Sequence, residues 1–215
     1  MKCILITGFE PFGGESLNPA LEAVRRLEGK IIKDVRIVTR AVPVVKQKAI
    51  DVLTAAIKEV DPVLVIAVGQ AAGRNDISIE RVAINADDYR IPDNEGNQPV
   101  DEPVVAGGPA AYWSTLPVKA MLQAVTGGGV PASISNTAGT YVCNHLFYGL
   151  MNYLAQEGNQ RRGGFLHIPL LPEQAVRNQG QPSMALDTIV RGLELAAAAA
   201  LQHERDLKYA AGTVC

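Results

Sequence analysis

The chain has 215 residues, with 20 lysines and arginines against 22 acidic residues and a formal net charge of −2. Hydrophobic residues make up 47% of it and charged residues 20%, a composition that excludes a disordered or fibrous protein. The near-neutral charge also argues against a nucleic-acid-binding protein, which usually has a basic excess. Because no targeting segment and no apolar run of roughly 18 residues is visible, we expect a cytoplasmic protein without a membrane partner.

Short β-rich runs alternate with longer stretches of helical spacing along the chain. The first strand is predicted over 2–7, and the first helix over 18–28, with Asn18 as N-cap and Pro19 at its first position. Further strands are predicted at 35–42, 63–68, 77–84, 130–135 and 165–168, and further helices at 44–60, 118–125, 143–156 and 183–205. This alternation predicts one domain, residues 1–215, built as a three-layer α/β/α sandwich around a mostly parallel twisted sheet. Residues 206–215 are expected to form a flexible tail.

The stretch 86–117 is rich in Gly, Pro and Asp and is the longest one read as irregular. We interpret its acidic side chains as a solvated loop rather than a metal site, since no Cys or His spacing suggests zinc; they are Asp87, Asp88, Asp93 and Glu95. Another loop, 8–14, lacks the G-x-G-x-x-G order of a dinucleotide site. Its Phe9 and Phe12 are read as two aromatic walls, the alternative being that they pack the edge of the core.

The segment 133–144 is the most informative for chemistry. A strand leaves through small polar residues and a helix begins near Cys143. A helix N-terminus favours thiolate over thiol and can stabilise an oxyanion, so Cys143 is a candidate nucleophile with a lowered pKa. The alternative is a small buried hydrophobe. Cys3, in a buried strand, and Cys215, in the tail, are read as incidental thiols of a reducing compartment.

A nucleophilic cysteine needs a base, and the chain offers three histidines. His203 is read as a surface residue, and His145 lies two positions after Cys143, a spacing at which helical side chains do not face each other. His167 ends a strand, where parallel sheets form their ligand crevice, so it is the best candidate. Glu80, a carboxylate in an apolar run, is the candidate orienting group. The alternatives are an ion pair with Arg81 or another nearby cation, or a charge on an edge strand.

Four segments resemble type I pyroglutamyl peptidases, also called pyrrolidone-carboxylate peptidases. They are 7–14 (TGFEPFGG) with Asn18-Pro19, 69–73 (GQAAG) with 77–85 (ISIERVAIN), 134–144 (ISNTAGTYVCN), and 165–169 (FLHIP). The match keeps this order and spacing from Met1 to about Arg205. The resemblance implies a cysteine peptidase that removes N-terminal pyroglutamate from peptides through an acyl-enzyme, without cofactor or metal, and that forms a homo-oligomer such as a tetramer.

The resemblance also implies roles for single residues. Cys143 would be the nucleophile, His167 the base and then the acid, and Glu80 the orienting carboxylate. Substrate would be bound by Phe9 and Phe12 on the lactam faces, Asn18 and the Gln70 main chain on its polar groups, Arg90 as second oxyanion donor, and Ile91, Tyr141 and Val142 as the remaining wall.

The sequence is also compatible with two other functions. A non-catalytic module that binds a lactam predicts binding without turnover. An enzyme related to nucleoside phosphorylases, on a similar α/β sandwich, predicts phosphorolysis, although no phosphate loop is evident in the sequence.

Overall fold

The computed structural model describes residues 2–158 and 160–212. Its strands are β1 (Cys3–Phe9), β2 (Ile31–Ile32), β3 (Val35–Val42), β4 (Leu64–Gln70), β5 (Ile77–Glu80), β6 (Val82–Ile84), β7 (Ala111–Trp113), β8 (Ala132–Ser135) and β9 (Arg162–Ile168). Its helices are α1 (Pro19–Arg25), α2 (Lys48–Val60), α3 (Val118–Gly127), α4 (Val142–Gln156), α5 (Pro172–Ala175) and α6 (Leu186–Gln202).

Seven strands form the central sheet, in the order β2-β3-β1-β4-β9-β5-β8. The four central strands β3, β1, β4 and β9 are parallel, whereas β5 runs antiparallel to β9 and parallel to β8. Strands β6 and β7 form a separate antiparallel pair. The predicted mostly parallel sheet is therefore confirmed.

Two apolar cores flank the sheet and make it the middle layer of a sandwich. One core packs α1, α3 and α6 against one face, and the other packs α2 and α4 against the opposite face. Strand β4 has six of its seven residues buried, as expected of a central strand covered on both faces. Gly149 allows α4 to approach α2 closely, since a Cβ at this position would lie 2.3 Å from the Ile50 side chain. The predicted three-layer α/β/α fold is confirmed.

The N-cap of α1 forms as the sequence predicts, because the Asn18 side-chain oxygen accepts a hydrogen bond from the backbone N–H of Ala20. Three short elements were not predicted: β2, β7 and α5. Each has at most four residues, too few for hydrophobic periodicity to be recognisable. No helix in 2–158 or 160–212 has the length and apolarity needed to cross a membrane.

The described part of the predicted flexible tail packs on the domain. The Asp206 carboxylate accepts hydrogen bonds from the backbone N–H groups of Lys119 and Ala120, at the start of α3, and the Tyr209 hydroxyl donates to the Lys119 carbonyl. Asp206 thereby caps a helix whose own N-cap position is a proline. Cys215 lies outside the described residues.

Candidate active site

A cavity of about 350 Å³ opens at the edge of the sheet where β1, β4 and β9 end. Phe9, Gln70 and His167 line it from these strand ends, and Cys143 lines it from the first turn of α4. The other lining residues are Phe12, Asn18, Val44, Ala71, Ala72, Arg74, Thr137, Ala138, Gly139, Tyr141 and Val142. The predicted thiol, imidazole and most of the predicted substrate-binding residues are thus gathered in one place.

The chain does not run directly from β8 into this cavity. A parallel β8 would carry the chain directly to the carboxyl edge of β9, but β8 runs antiparallel to β9. The chain instead crosses from Ser135 through 136–141 before α4 begins. Cys143 is the second residue of that helix, where the backbone N–H groups have no partner within the helix.

Gly69 makes room for the thiol. A Cβ at this position would lie 3.0 Å from the Cys143 Sγ and 2.8 Å from the Phe165 ring. Gly69 is also the register partner of His167 in the parallel pairing of β4 with β9. The sulfur therefore lies over the strand next to His167, on the α4 side of the sheet.

The environment of Cys143 corrects the expected lowered pKa. Burial, with a further contribution from the Glu80 carboxylate, raises the pKa of the Cys143 thiol to about 12, although the Arg74 charge acts in the opposite direction. Burial likewise lowers the pKa of His167, against the raising effects of Glu80. Desolvation thus acts against the effect expected of the helix terminus, and both shifts favour a neutral thiol and a neutral imidazole.

Glu80 orients His167. The His167 Nδ1 lies 2.8 Å from Glu80 Oε1, and both side chains are buried. Because a carboxylate accepts, Nδ1 carries the proton in this pair and Nε2 is left as the basic nitrogen. The Phe165 ring packs against the imidazole at a centroid distance of 4.9 Å and restricts its rotation.

Arg74 also contacts Glu80 and was missed from the sequence. Its Nη1 lies 2.7 Å from the same Oε1 atom, and its Nη2 donates to the Thr137 carbonyl at 3.0 Å. Glu80 thus contacts both an imidazole and a cation, as two of its interpretations from the sequence require. The cation is Arg74 rather than Arg81. Arg81 donates to the Ala211 carbonyl instead. Arg74 follows Gly73, whose φ of +86° marks a turn, and only that turn signal could have drawn attention to it.

A second histidine–carboxylate pair lies outside the cavity lining. The His145 Nδ1 is 2.8 Å from Asp87 Oδ2, and both side chains are buried. Asp93 is also buried and accepts hydrogen bonds from the backbone N–H groups of Lys46, Glu95 and Asn97, which lower its pKa despite its burial. The prediction that this acidic stretch is solvated is therefore wrong for Asp87 and Asp93, which anchor the loop.

Comparison with known proteins decides the family. A sequence model described as pyroglutamyl peptidase matches residues 1–203. The chain is 58% identical, over its whole length and that of the relative, to a pyrrolidone-carboxylate peptidase of Brevibacillus brevis, and 56% identical over 99% of each chain to one from Bacillus cereus. The chain belongs to the pyroglutamyl peptidase family.

Solved structures support the same assignment. The chain superposes on a crystal structure of pyroglutamyl peptidase I from Bacillus amyloliquefaciens with a TM-score of 0.95 at 51% identity, covering 97% of this chain and 99% of that one. A mutant pyrrolidone carboxyl peptidase from Pyrococcus furiosus gives 0.90 at 44% identity, covering 93% and 98%. The resemblance drawn from the four sequence segments is confirmed, and with it the expected class, a cysteine-type peptidase.

Most residues predicted to bind the pyroglutamyl ring line the cavity of this family member. Asn18 has its oxygen engaged by the α1 cap and donates one amide N–H to the Glu10 carbonyl at 3.0 Å, which leaves its second N–H available. The Tyr141 hydroxyl donates to the Pro92 carbonyl at 3.1 Å, so its polar end is satisfied while its ring packs on Phe12. Phe9 packs in the buried core that contains α2 and α4, and it also lines the cavity.

Arg90 and Ile91 do not line the cavity. Both are exposed, Ile91 by 41%. The neighbouring Tyr89 is buried and packs edge-on against Tyr141 at 4.8 Å, whereas the next two side chains are exposed. Their assigned contacts with substrate stay predictions.

Proposed function

We propose that Cys143, His167 and Glu80 carry out the hydrolysis of the bond that follows an N-terminal pyroglutamyl residue. The observation that carries the proposal is the hydrogen bond of 2.8 Å from His167 Nδ1 to Glu80. His167 lines the same cavity as Cys143, whose sulfur lies over Gly69. A nucleophile, a base and a group that orients the base are the elements of covalent acyl transfer.

The reaction begins with a neutral pair and creates the thiolate as it attacks. His167 Nε2 takes the Sγ proton while Sγ bonds to the pyroglutamyl carbonyl carbon. The carbonyl oxygen becomes an oxyanion, which the free backbone N–H groups of the first turn of α4, including that of Cys143, stabilise. The C–N bond then breaks, and the departing amine takes the proton from His167.

A second half-reaction frees the enzyme. Water loses a proton to His167 and attacks the acyl carbon, and the C–S bond breaks. The thiol regains its proton from His167, and free pyroglutamate leaves. Glu80 holds His167 in place throughout and stabilises the transient imidazolium.

The cavity suits a neutral lactam rather than an ordinary N-terminus. Its described lining residues include no carboxylate, and the cation among them is Arg74. Burying a free ammonium group there would leave it unpaired, which is costly. Phe9 and Phe12 supply apolar walls, and Asn18 with the Gln70 main chain supplies the donor and acceptor that a lactam needs.

Hydrolysis of a pyroglutamyl-coumarin amide tests the assignment. Wild type should release the fluorophore, and Cys143→Ala should lose the activity while Cys3→Ala, the matched thiol control, keeps it. Full activity of Cys143→Ala would overturn the assigned nucleophile. Binding without turnover in wild type would favour the lactam-binding module, and phosphorolysis of purine nucleosides would favour the phosphorylase-like enzyme.

Three further features belong to this proposal. The catalytic unit is the single domain of residues 1–215. The enzyme works in the cytoplasm, which is supported by the free thiols of Cys3 and Cys143. It assembles as a homo-oligomer, with a tetramer as the expected state, and sedimentation velocity of the purified protein tests this.

A further inference from the structure

Arg74 lies where two loops of the site meet the end of a strand. It belongs to the segment between β4 and β5, contacts Glu80 at the end of β5, and contacts Thr137 in the segment between β8 and α4. The Thr137 carbonyl accepts a second hydrogen bond from the Ser135 hydroxyl at 2.9 Å. The Arg74 guanidinium therefore connects the strand that carries the Glu80 carboxylate with the segment that leads to Cys143.

Arg74 and His167 share one acceptor atom. Glu80 Oε1 accepts from Arg74 at 2.7 Å and from His167 at 2.8 Å, whereas the buried Oε2 has no hydrogen-bond partner among the described residues. A bidentate arginine would have used both oxygens. Since the two donors meet at one oxygen, the guanidinium fixes the atom to which the imidazole is bound.

We propose that Arg74 is a positioning residue of the peptidase, which fixes Glu80 Oε1 against His167 and sets the pH range in which the Cys143–His167 pair is active. This inference rests on the proposed function of the triad. Arg74 acts on the pair through its contact with Glu80 and through its charge.

The electrostatics agree with this role. Glu80 raises the pKa of both Cys143 and His167, and the Arg74 charge lowers both. The two charges thus oppose each other at each member of the pair. Without the guanidinium, a fully buried carboxylate would act on both members without a counter-charge.

Few other groups can obscure this effect. The titratable and charged groups facing the pair are Glu80 from β5, Arg74 from the loop before it, Tyr141 from the residue before α4, and Tyr89 from the loop 86–103. Burial raises the pKa of Tyr141 to about 12, and that of Tyr89 is also raised. Both phenols therefore stay neutral over the pH range of an activity measurement.

Arg74→Met tests the proposal through pH profiles. We expect the acid limb of kcat/KM to move upward by about one pH unit, and the rate of Cys143 alkylation by iodoacetamide at about pH 9 to fall about tenfold, because the lost positive charge had opposed the imidazolium and favoured the thiolate. We also expect kcat to fall about tenfold, a part of what acid–base catalysis contributes, while KM changes less than twofold. Arg74→Lys should restore the pH limbs to within about 0.3 unit of the wild type, because the charge remains.

Arg81→Met is the matched control. Arg81 follows Glu80 directly, but its guanidinium donates to the Ala211 carbonyl and does not line the cavity. Its loss should leave both the acid limb and the alkylation rate unchanged. A folded Arg74→Met protein with the wild-type acid limb and alkylation rate, or an equal change in Arg81→Met, would overturn the proposal.

A second pair of variants keeps the test open if Arg74→Met does not fold. Glu80→Gln and the double variant Glu80→Gln/Arg74→Met leave no buried carboxylate without a partner. Alkylation of Cys143 at about pH 9 should be faster in Glu80→Gln than in wild type, and about tenfold slower in the double variant than in Glu80→Gln. Equal alkylation rates in these two variants would contradict the inference. Since alkylation needs no turnover, this readout is separate from a failure of the wild type to cleave the pyroglutamyl substrate, which would refute the proposed function.

Discussion

Two buried histidine–carboxylate pairs of equal length are present among the described residues, and only one of them has its histidine in the cavity lining. His167 Nδ1 meets Glu80, and His145 Nδ1 meets Asp87, each at 2.8 Å. His167 lines the cavity, whereas His145 does not, and the buried Nε2 of His145 has no hydrogen-bond partner among the described residues. The hydrogen-bond motif alone therefore does not distinguish the two histidines, whereas a place in the cavity lining does.

The neighbouring cations separate the two pairs further. Glu80 is bound by Arg74, which lines the cavity, whereas Asp87 has Lys46 Nζ at 3.8 Å. Lys46 also bonds Glu102 on the same loop. The Asp87 pair therefore joins the start of α4 to the loop 86–103, and we interpret it as structural.

Replacing each histidine gives the largest expected contrast. His167→Ala should lower kcat by about 10³-fold with little loss of stability, because general acid–base catalysis is lost. His145→Ala should keep kcat within a few-fold but destabilise the fold by about 3 kcal/mol, because Asp87 is left buried without its partner. Steady-state kinetics and urea unfolding measure the two effects. A loss of kcat in His145→Ala as large as that in His167→Ala would remove the distinction between the pairs.

Gly69→Ala should produce the next largest effect. The added methyl group would lie 3.0 Å from the Cys143 sulfur and 2.8 Å from the Phe165 ring, so the thiol must move. A misplaced nucleophile costs about 10²-fold in kcat. Gly164→Ala, on β9, is the control, since it clashes with Ser114 and Leu116 rather than with the thiol. If both variants lose activity equally, the effect is general strain on the sheet.

The acid limb of the pH profile should lie below the ordinary histidine value of about 6.5. His167 must be neutral to accept the thiol proton, and burial lowers its pKa, so the base stays neutral to lower pH. Activity should therefore fall less than twofold between pH 7.5 and 6.5. A limb centred above pH 7 in wild type would contradict the neutral resting pair.

Asp206→Ala should have the smallest effect on activity. Its carboxylate caps α3, on the face of the sheet opposite α4, so its loss should cost about 1 kcal/mol of stability and leave kcat/KM unchanged. Thermal unfolding with and without this substitution measures the difference. A change in kcat/KM would indicate that the end of the chain is coupled to the site.

Much of the fold follows from local patterns in the sequence. The bounds of β3 and the Asn18 cap were predicted because alternation and capping chemistry are local. The direction of β5 and β8 was not, because it depends on pairing between strands far apart in sequence. The thiol, imidazole and carboxylate were recognisable from residue type and position.

The parts of the site that escaped prediction depend on three-dimensional contacts. Arg74 carries no sequence signal beyond the preceding Gly73, and its importance comes from meeting Glu80 and Thr137. The thiol pKa was expected to fall because a helix terminus is visible in the sequence, whereas the opposing burial is not. The exposure of Arg90 and Ile91 next to the buried Tyr89 is likewise not visible in the sequence.

Trapping the acyl-enzyme tests the central claim most directly. Rapid acid quenching of wild type mixed with a pyroglutamyl ester, followed by peptide mass spectrometry, should find one pyroglutamyl group on Cys143 and none on Cys3. In His167→Ala the group should accumulate more slowly, because the thiol has lost its base. A pyroglutamyl group on a different residue, or hydrolysis at the full rate in Cys143→Ala, would contradict the account.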